Sequence, residues 1–216
     1  MKIFLVRHGL SALNGKKVHQ IRDDPLTEQG KRQARSVASR LAEVNADLIV
    51  SSSYPRAAET ARIIGKRLKK RIIYTELLKE WKKPSEIEGK SRSDRKANLI
   101  YNKIMKNIDR DDWHYSDEEN LFDLKERIKS IGEYLEGKNG KNSTLIVVTH
   151  AKVIYMMLAI AVFGVGVTSD EYIRLRKAFA LDNTGITEVE MVDGLVTKVI
   201  TLNDVTHLKD IAENSL

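Results

Sequence analysis

The chain has 216 residues, 42% of them hydrophobic and 31% charged, enough apolar content for one large domain with a core and too much charge for a membrane protein. It contains no cysteine, which excludes disulfides, thiolate catalysis and Cys-ligated zinc or iron–sulfur centres. Lys and Arg number 37 against 30 Asp and Glu, a net charge of +7 that favours anionic partners: phosphorylated metabolites, nucleic acid or an acidic lipid surface.

In chain order, the opening Met1-Lys2-Ile3-Phe4-Leu5-Val6-Arg7 is too short and too soon charged for a secretion signal, and a cytoplasmic location is the expectation. Ile3-Phe4-Leu5-Val6 reads as a strand buried on both faces. Residues 27–44 follow as a helix with Thr27 as N-cap and Ala34, Val37, Ala38 and Leu41 on its inner face. Residues 47–50 form a second strand, 57–69 a second helix and 71–77 a third strand. The polar stretch 91–137 is expected to be a helical insertion covering the sheet. Residues 144–148 give the clearest strand, followed by a helix from about Val153. The apolar run 153–167, broken by Gly164 and Gly166, falls short of the roughly 20 residues needed to span a bilayer and reads as a buried helix. Two strands, 186–191 and 196–202, flank a Val192-Asp193-Gly194 turn, and residues 203–216 form a polar tail expected to pack loosely. Strand–helix alternation without internal repeats predicts a single domain over residues 1–216. Its class is α/β, a three-layer α/β/α sandwich with a mostly parallel central sheet and helices on both faces.

Ligands of such folds bind beyond the carboxyl ends of the strands. The first strand ends in Arg7-His8-Gly9, the second in Ser51-Ser52-Ser53 with Arg56 just beyond, the third runs into Glu80, and residues 144–148 lead into Thr149-His150. Arginine forks bind phosphate oxygens bidentately, a neutral imidazole attacks phosphorus, and a carboxylic acid protonates a departing alkoxide. Taken singly these residues are unremarkable: a histidine after a strand is usually structural, an arginine there usually solvated, and Glu80 has lysine neighbours to pair with. Five of them on one rim are harder to assign to accident.

Leu5-Val6-Arg7-His8-Gly9, with Asn14 beyond it, resembles the signature of the histidine phosphatase superfamily, the phosphoglycerate mutase-like proteins. Asp24-Pro25-Leu26-Thr27 with Gly30, Gln33 and Ala34 resembles that family's second block, and Ser51-Ser52-Ser53-Tyr54-Pro55-Arg56-Ala57-Ala58-Glu59-Thr60-Ala61 its second-arginine block. Leu78-Lys79-Glu80 resembles its acid/base segment and Val147-Val148-Thr149-His150 its second-histidine segment, all in family order. The resemblance implies that His8 is the nucleophile and forms a phosphohistidine. It implies that Arg7, Arg56 and His150 line the phosphate pocket, that Asn14 adds a hydrogen bond to phosphate, and that Glu80 is general acid and then base. No metal or other cofactor is implied, because two guanidinium groups supply the positive charge. Leu10 and Ala151 depart from the Glu or Gln and the Gly frequent in the family; Leu10 removes a polar group near the pocket and is expected to alter the substrate shape accepted, and neither departure touches the phosphate cage. The segments 15–24 and 81–91 lack the pattern of the mutase branch, which favours a phosphatase acting on a small anionic phosphorylated substrate.

A phosphoglycerate-type mutase is the alternative, and it would depend on a bisphosphate primer. A third reading, a non-catalytic binder of anions or nucleic acid, rests on the basic run Arg62, Lys66, Arg67, Lys69, Lys70 and Arg71, but that spacing suits a solvated helix face and no RNA-binding motif accompanies it. Lys82, Lys83, Lys90, Arg92, Arg95 and Lys96 are expected to overhang the site and steer anions inward. His19, His114 and His207 show no metal-ligand spacing and read as surface residues, with His19 near the pocket as the exception; Trp81 and Trp113 read as packing anchors. The last strand pair offers apolar positions for a homodimer interface, by analogy with the family's frequent dimers.

Overall fold

The computed structural model describes residues 1–209. Its chain order is β1 (Lys2–Arg7), α1 (Glu28–Arg40), β2 (Leu48–Ser52), α2 (Pro55–Leu68), β3 (Ile72–Thr75), α3 (Arg95–Lys106), α4 (Leu121–Asn139), β4 (Thr144–Thr149), α5 (Ala151–Phe163), α6 (Ser169–Ala178), β5 (Ile186–Val192) and β6 (Leu195–Asp204). The six strands form one sheet in the order β3-β2-β4-β1-β5-β6. β1, β2, β3 and β4 run parallel, while β5 pairs antiparallel with both β1 and β6, so β5 alone is reversed.

The continuous apolar strands follow from burial on both faces. Ile3 and Leu5 of β1, with Leu145 and Val147 of β4, point into a core shared with α4, α5 and α6. Phe4, Val6, Ile146 and Val148, alternating with them, pack against α1 and α2. Helix α5 is buried along eight consecutive residues, Val153 to Ile160, because it lies between the sheet and the outer helices. At about 1.5–3 kcal/mol for each large side chain removed from water, that helix is a principal source of stability. No helix among the described residues is long and apolar enough to cross a membrane.

Local signals set most boundaries. Thr27 caps α1 by accepting from the Gly30 amide, and Lys69 ends α2 in the left-handed region. Asp193 and Gly194 both have positive φ, as a tight two-residue hairpin turn demands. The third strand is shorter than expected: the Thr75 hydroxyl accepts from the Leu77 amide and turns residues 76–78 into a 3-10 helix. Stretch 91–137 is not uniformly helical. α3 ends at Asn107, and α4 starts afresh with a capping box between Asn120 and Asp123. α4 covers the sheet, whereas Ala97, Ile100 and Ile104 of α3 form a satellite cluster with Ile87, Trp113 and Tyr115. α6, unanticipated, opens on a capping box of Thr168 and Glu171, a pattern readable in the sequence. The expected loose tail is ordered at its start. Residues 203–204 belong to β6, and His207 packs on α1, its carbonyl accepting from the Ser36 hydroxyl. The tail from residue 210 onward lies outside the described residues.

Candidate active site

Parallel neighbours β1 and β4 are in register Arg7 to Thr149, so the residues that follow, His8 and His150, emerge side by side with ring centroids 5.0 Å apart. β2 flanks β4 on the other side and delivers Ser52, then Arg56 in the first turn of α2. β5 runs against the other central strands, so the loop preceding it, with Leu181 and Asn183, reaches the same rim.

His8 is almost wholly buried. Its Nδ1 lies 2.7 Å from the Gly9 carbonyl, a contact that needs a proton on Nδ1, and its Nε2 accepts from Arg56 Nε at 3.3 Å. Burial, then the charges of Arg56 and Arg7, hold this imidazole well below the usual histidine range, which favours the neutral ring whose Nε2 lone pair faces Arg56. His150 is neutral for the same reasons, burial first and Arg56 next. Its Nε2 meets the Ser52 hydroxyl at 2.9 Å, and its Nδ1 is buried without a hydrogen-bond partner among the described residues.

Both arginines are clamped by backbone. Arg56 Nη1 donates to the carbonyls of Ile21 (3.2 Å) and Arg22 (3.1 Å). Thr60 donates to the Arg56 carbonyl at 2.7 Å and accepts from the Gly9 amide at 3.1 Å, tying α2 to the nucleophile loop. Arg7 donates from Nη1 to the Leu181 carbonyl and from Nη2 to Asn14 Oδ1 at 2.9 Å, while its Nε is buried and has no partner among the described residues. Asn183 donates to the His8 carbonyl at 2.9 Å. Behind this shelf the chain crosses itself closely: a Cβ on Gly30 would lie 2.1 Å from the Leu10 carbonyl oxygen, and one on Gly9 would lie 2.6 Å from the Gly30 oxygen. Asp24 holds the loop before the crossing by accepting from Ser11, Leu13 and Gln20. The Leu10 amide donates to Gln33 and its carbonyl accepts from Thr27.

A cleft of about 360 Å³ opens above the shelf, with Arg7, Asn14, Arg56, Glu80 and Ala151 in its wall. His8 and His150 lie behind that wall, against Arg56 and Tyr54; the Tyr54 ring meets His150 edge-on at 5.4 Å. Glu80 accepts from the Trp81 amide at 2.9 Å, and its charge acts on both Arg7 and Arg56. Among the described residues no group of three or more His, Asp or Glu side chains is placed to hold a metal ion.

Of the six residues expected from sequence, Arg7, Asn14, Arg56 and Glu80 thus line the cleft, and His8 and His150 lie directly behind Arg56. Asn14 is found orienting Arg7 through its oxygen, with its amide donor unused among the described residues. Leu10 is not part of the cleft wall, and its peptide is tied to Gln33 and Thr27. Of the basic segment, Lys82, Lys83 and Arg92 reach the cleft and Lys90, Arg95 and Lys96 do not. His19, read as a surface residue, is 3% exposed and stacks near Tyr101 with centroids 5.7 Å apart; burial and the charges of Lys83, Arg92 and Lys152 lower it to about 4. His207 is half-buried against Thr184, whereas His114 is exposed beside Asp123. Trp81 packs in the core and also lines the cleft. Sequence reasoning gave no role to Ser52, Thr60, Asn183 or Lys152; only Lys152 carried a usable signal, standing in the first turn of the helix that follows His150.

Comparison with known proteins agrees with this geometry. The chain is 32% identical to a probable phosphatase of Schizosaccharomyces pombe, across 97% of its own length and 96% of that protein's. It is 36% identical to a probable phosphoglycerate mutase of Escherichia coli, but over 81 residues, 37% of this chain and 38% of the other. Its fold is similar to that of phosphoserine phosphatase from Entamoeba histolytica, solved with 3-phosphoglyceric acid (TM-score 0.75, 26% identity, 96% of this chain and 98% of that one). The family model described as histidine phosphatase superfamily (branch 1) matches residues 3–204, and with two histidines and two clamped arginines meeting at the carboxyl ends of β1, β2 and β4, the chain belongs to that superfamily.

Proposed function

We propose that the protein is a metal-independent phosphatase that hydrolyses a small phosphomonoester through a phosphohistidine on His8. The observation that carries this reading is the state of His8: neutral, its Nδ1 proton fixed on the Gly9 carbonyl, its Nε2 lone pair presented to Arg56. A phosphoryl group entering the cleft takes over the Arg56 hydrogen bond. Arg7 Nε, Arg56, the buried Nδ1 of His150 and the Asn14 amide then hold its non-bridging oxygens. The incoming negative charge raises the affinity of His150 for a proton, which turns that ring into a donor.

His8 Nε2 attacks phosphorus in line, forming the P–N bond as the P–O bond to the leaving group breaks. Glu80 in its acid form gives its proton to the departing alkoxide. The resulting carboxylate takes a proton from water, whose oxygen attacks phosphorus; the P–N bond breaks and inorganic phosphate leaves. The guanidinium groups neutralise the equatorial oxygens throughout. Similarity along the full length to a protein named a phosphatase, against a match of little more than a third to one named a mutase, supports hydrolysis over transfer.

The test is p-nitrophenyl phosphate hydrolysis from about pH 5 to 8 in EDTA, for wild type and His8→Ala. Turnover that survives EDTA and is lost in the variant is the expected result. Turnover that appears only with a bisphosphate primer would replace hydrolysis by mutase chemistry, and turnover equal in both proteins would remove His8 from the reaction.

A further inference from the structure

The outer part of the cleft is made by two segments that zip together. The His19 amide donates to the Lys90 carbonyl at 2.9 Å, the Gly89 amide to His19 at 2.7 Å and the Arg92 amide to Lys17 at 2.7 Å. With α5 and α6 they assemble a wall containing Lys83, Arg92, Lys152 and Arg176. Two neighbouring cations of the cleft have partners, Lys82 with Asp117 at 3.1 Å and Arg22 with Glu88 at 3.7 Å, whereas Lys16 and Lys17 on the opposite segment, like the four, have none among the described residues. Among the described residues none of the four in this wall has a carboxylate within salt-bridge distance, and Lys152 Nζ sits instead 4.7 Å from the centre of the Trp81 ring. The carboxylates lining the whole cleft are Glu80, which the catalytic scheme uses, and Glu88.

Gathering like charges in one wall, with Lys83, Lys152 and Arg176 half-buried and Arg92 exposed, is unfavourable unless an anion neutralises them. The strain is visible at Lys152, which burial and the charges of Lys83, Arg176 and Arg92 lower to about 7, and at Lys83, lowered chiefly by burial. A single carboxylate would leave most of this positive charge uncompensated, whereas a phosphate brings up to two charges and several acceptor oxygens, matching a set of ammonium and guanidinium donors. A cleft of about 360 Å³ suits a metabolite-sized ligand.

We propose that this wall is a second anion subsite, and that the substrate carries, besides the phosphate that reacts at His8, a second phosphate seated on Lys83, Arg92, Lys152 and Arg176. The inference rests on the phosphatase reading for its turnover and not for its binding. The probes are propane- to hexanediol bisphosphates, each matched with its ω-hydroxyalkyl monophosphate and its ω-carboxyalkyl monophosphate. Affinities are measured calorimetrically on His8→Ala, and kcat/KM for phosphate release on the wild type.

At the best chain length the bisphosphate is expected to exceed the hydroxyl analogue by about tenfold or more in both readouts, with the carboxylate between them. Lys152→Met is expected to remove about tenfold of that preference and Lys152→Arg to retain it. Arg176→Gln, on a half-exposed helix position, gives a second route to the same loss if Lys152→Met does not fold. Equal affinity for bisphosphate and hydroxyl analogue at every chain length would overturn the subsite, as would a preference left intact in both loss variants. A carboxylate analogue that outranks the bisphosphate would overturn the assignment to phosphate. A binding preference without phosphate release from any ester would keep the subsite and refute the phosphatase.

Discussion

At the inner, catalytic end, His8, Arg7, Arg56 and His150 follow strand ends or stand in a helix first turn, and each is held by a backbone carbonyl or a buried hydroxyl. At the outer end, Lys83, Arg92, Lys152 and Arg176 have long side chains with no carboxylate partner among the described residues, carried by loops and by α5 and α6. The inner groups have little freedom left to lose when a phosphoryl group arrives, which is what transition-state stabilisation requires. The outer groups, two of them resting on aromatic rings (Lys152 on Trp81, Arg176 on Tyr172), keep charge for a bound anion to neutralise, which suits selection among substrates. Chemistry and selectivity are therefore placed on parts of the fold with different mechanical support.

Breaking the inner end is expected to do the most damage. His8→Ala should lower kcat on any phosphomonoester by about 10³-fold or more, since no second nucleophile replaces Nε2. Glu80→Gln should cost on the order of 10²–10⁴ for alkyl phosphates and far less for p-nitrophenyl phosphate, whose leaving group needs no proton; equal losses on both would remove Glu80 from the acid role. Gly30→Ala should act through the backbone, removing no reacting group. Its Cβ would meet the Leu10 carbonyl at 2.1 Å, a backbone clash that must shift the shelf and destabilise the fold by roughly 1–3 kcal/mol, read as a fall in Tm.

The outer end should respond more gently and differently. Raising ionic strength should lower kcat/KM severalfold for an anionic ester while leaving kcat nearly constant, because screening weakens encounter with the cationic wall; a flat response would count against steering. pH separates the two ends. With its pKa depressed by burial and the two arginines, His8 stays neutral through pH 6.5 and loses activity only at lower pH. Lys152, at about 7 and facing Lys83, Arg92, Arg176, Glu80 and Trp81, is charged below that value, so affinity for an ester bearing a second anion should decline as pH rises through it. Lys152→Met should flatten that alkaline limb and leave the acid limb in place.

The same division governs what was readable in the sequence. Arg7, His8, Arg56 and His150 follow strands whose apolar runs are unmistakable, so placing strands in a parallel sheet also places them on one rim. The alternation of Ile3 and Leu5 against Phe4 and Val6 likewise forecast a sheet covered on both faces. Asn183 was not legible, because its position depends on β5 running against its neighbours. Ser52 and Thr60 lay inside a recognised block, but their partners, His150 and Gly9, are nearly 100 and 51 residues away in sequence. His19 looked exposed because its neighbours are polar; it is buried because residues 87–92 fold over it. The cationic wall draws on residues 83, 92, 152 and 176, and no local pattern announces that union.

The central claim, that His8 carries the phosphoryl group, is tested most directly by mixing enzyme with substrate, quenching in alkali within a turnover and mapping the modified peptide by mass spectrometry. The expected result is an alkali-stable, acid-labile phosphoryl group on the His8 peptide that forms and decays at rates compatible with kcat and is missing in His8→Ala. A phosphoryl group on another residue, or steady turnover by His8→Ala at the wild-type rate, would contradict the account.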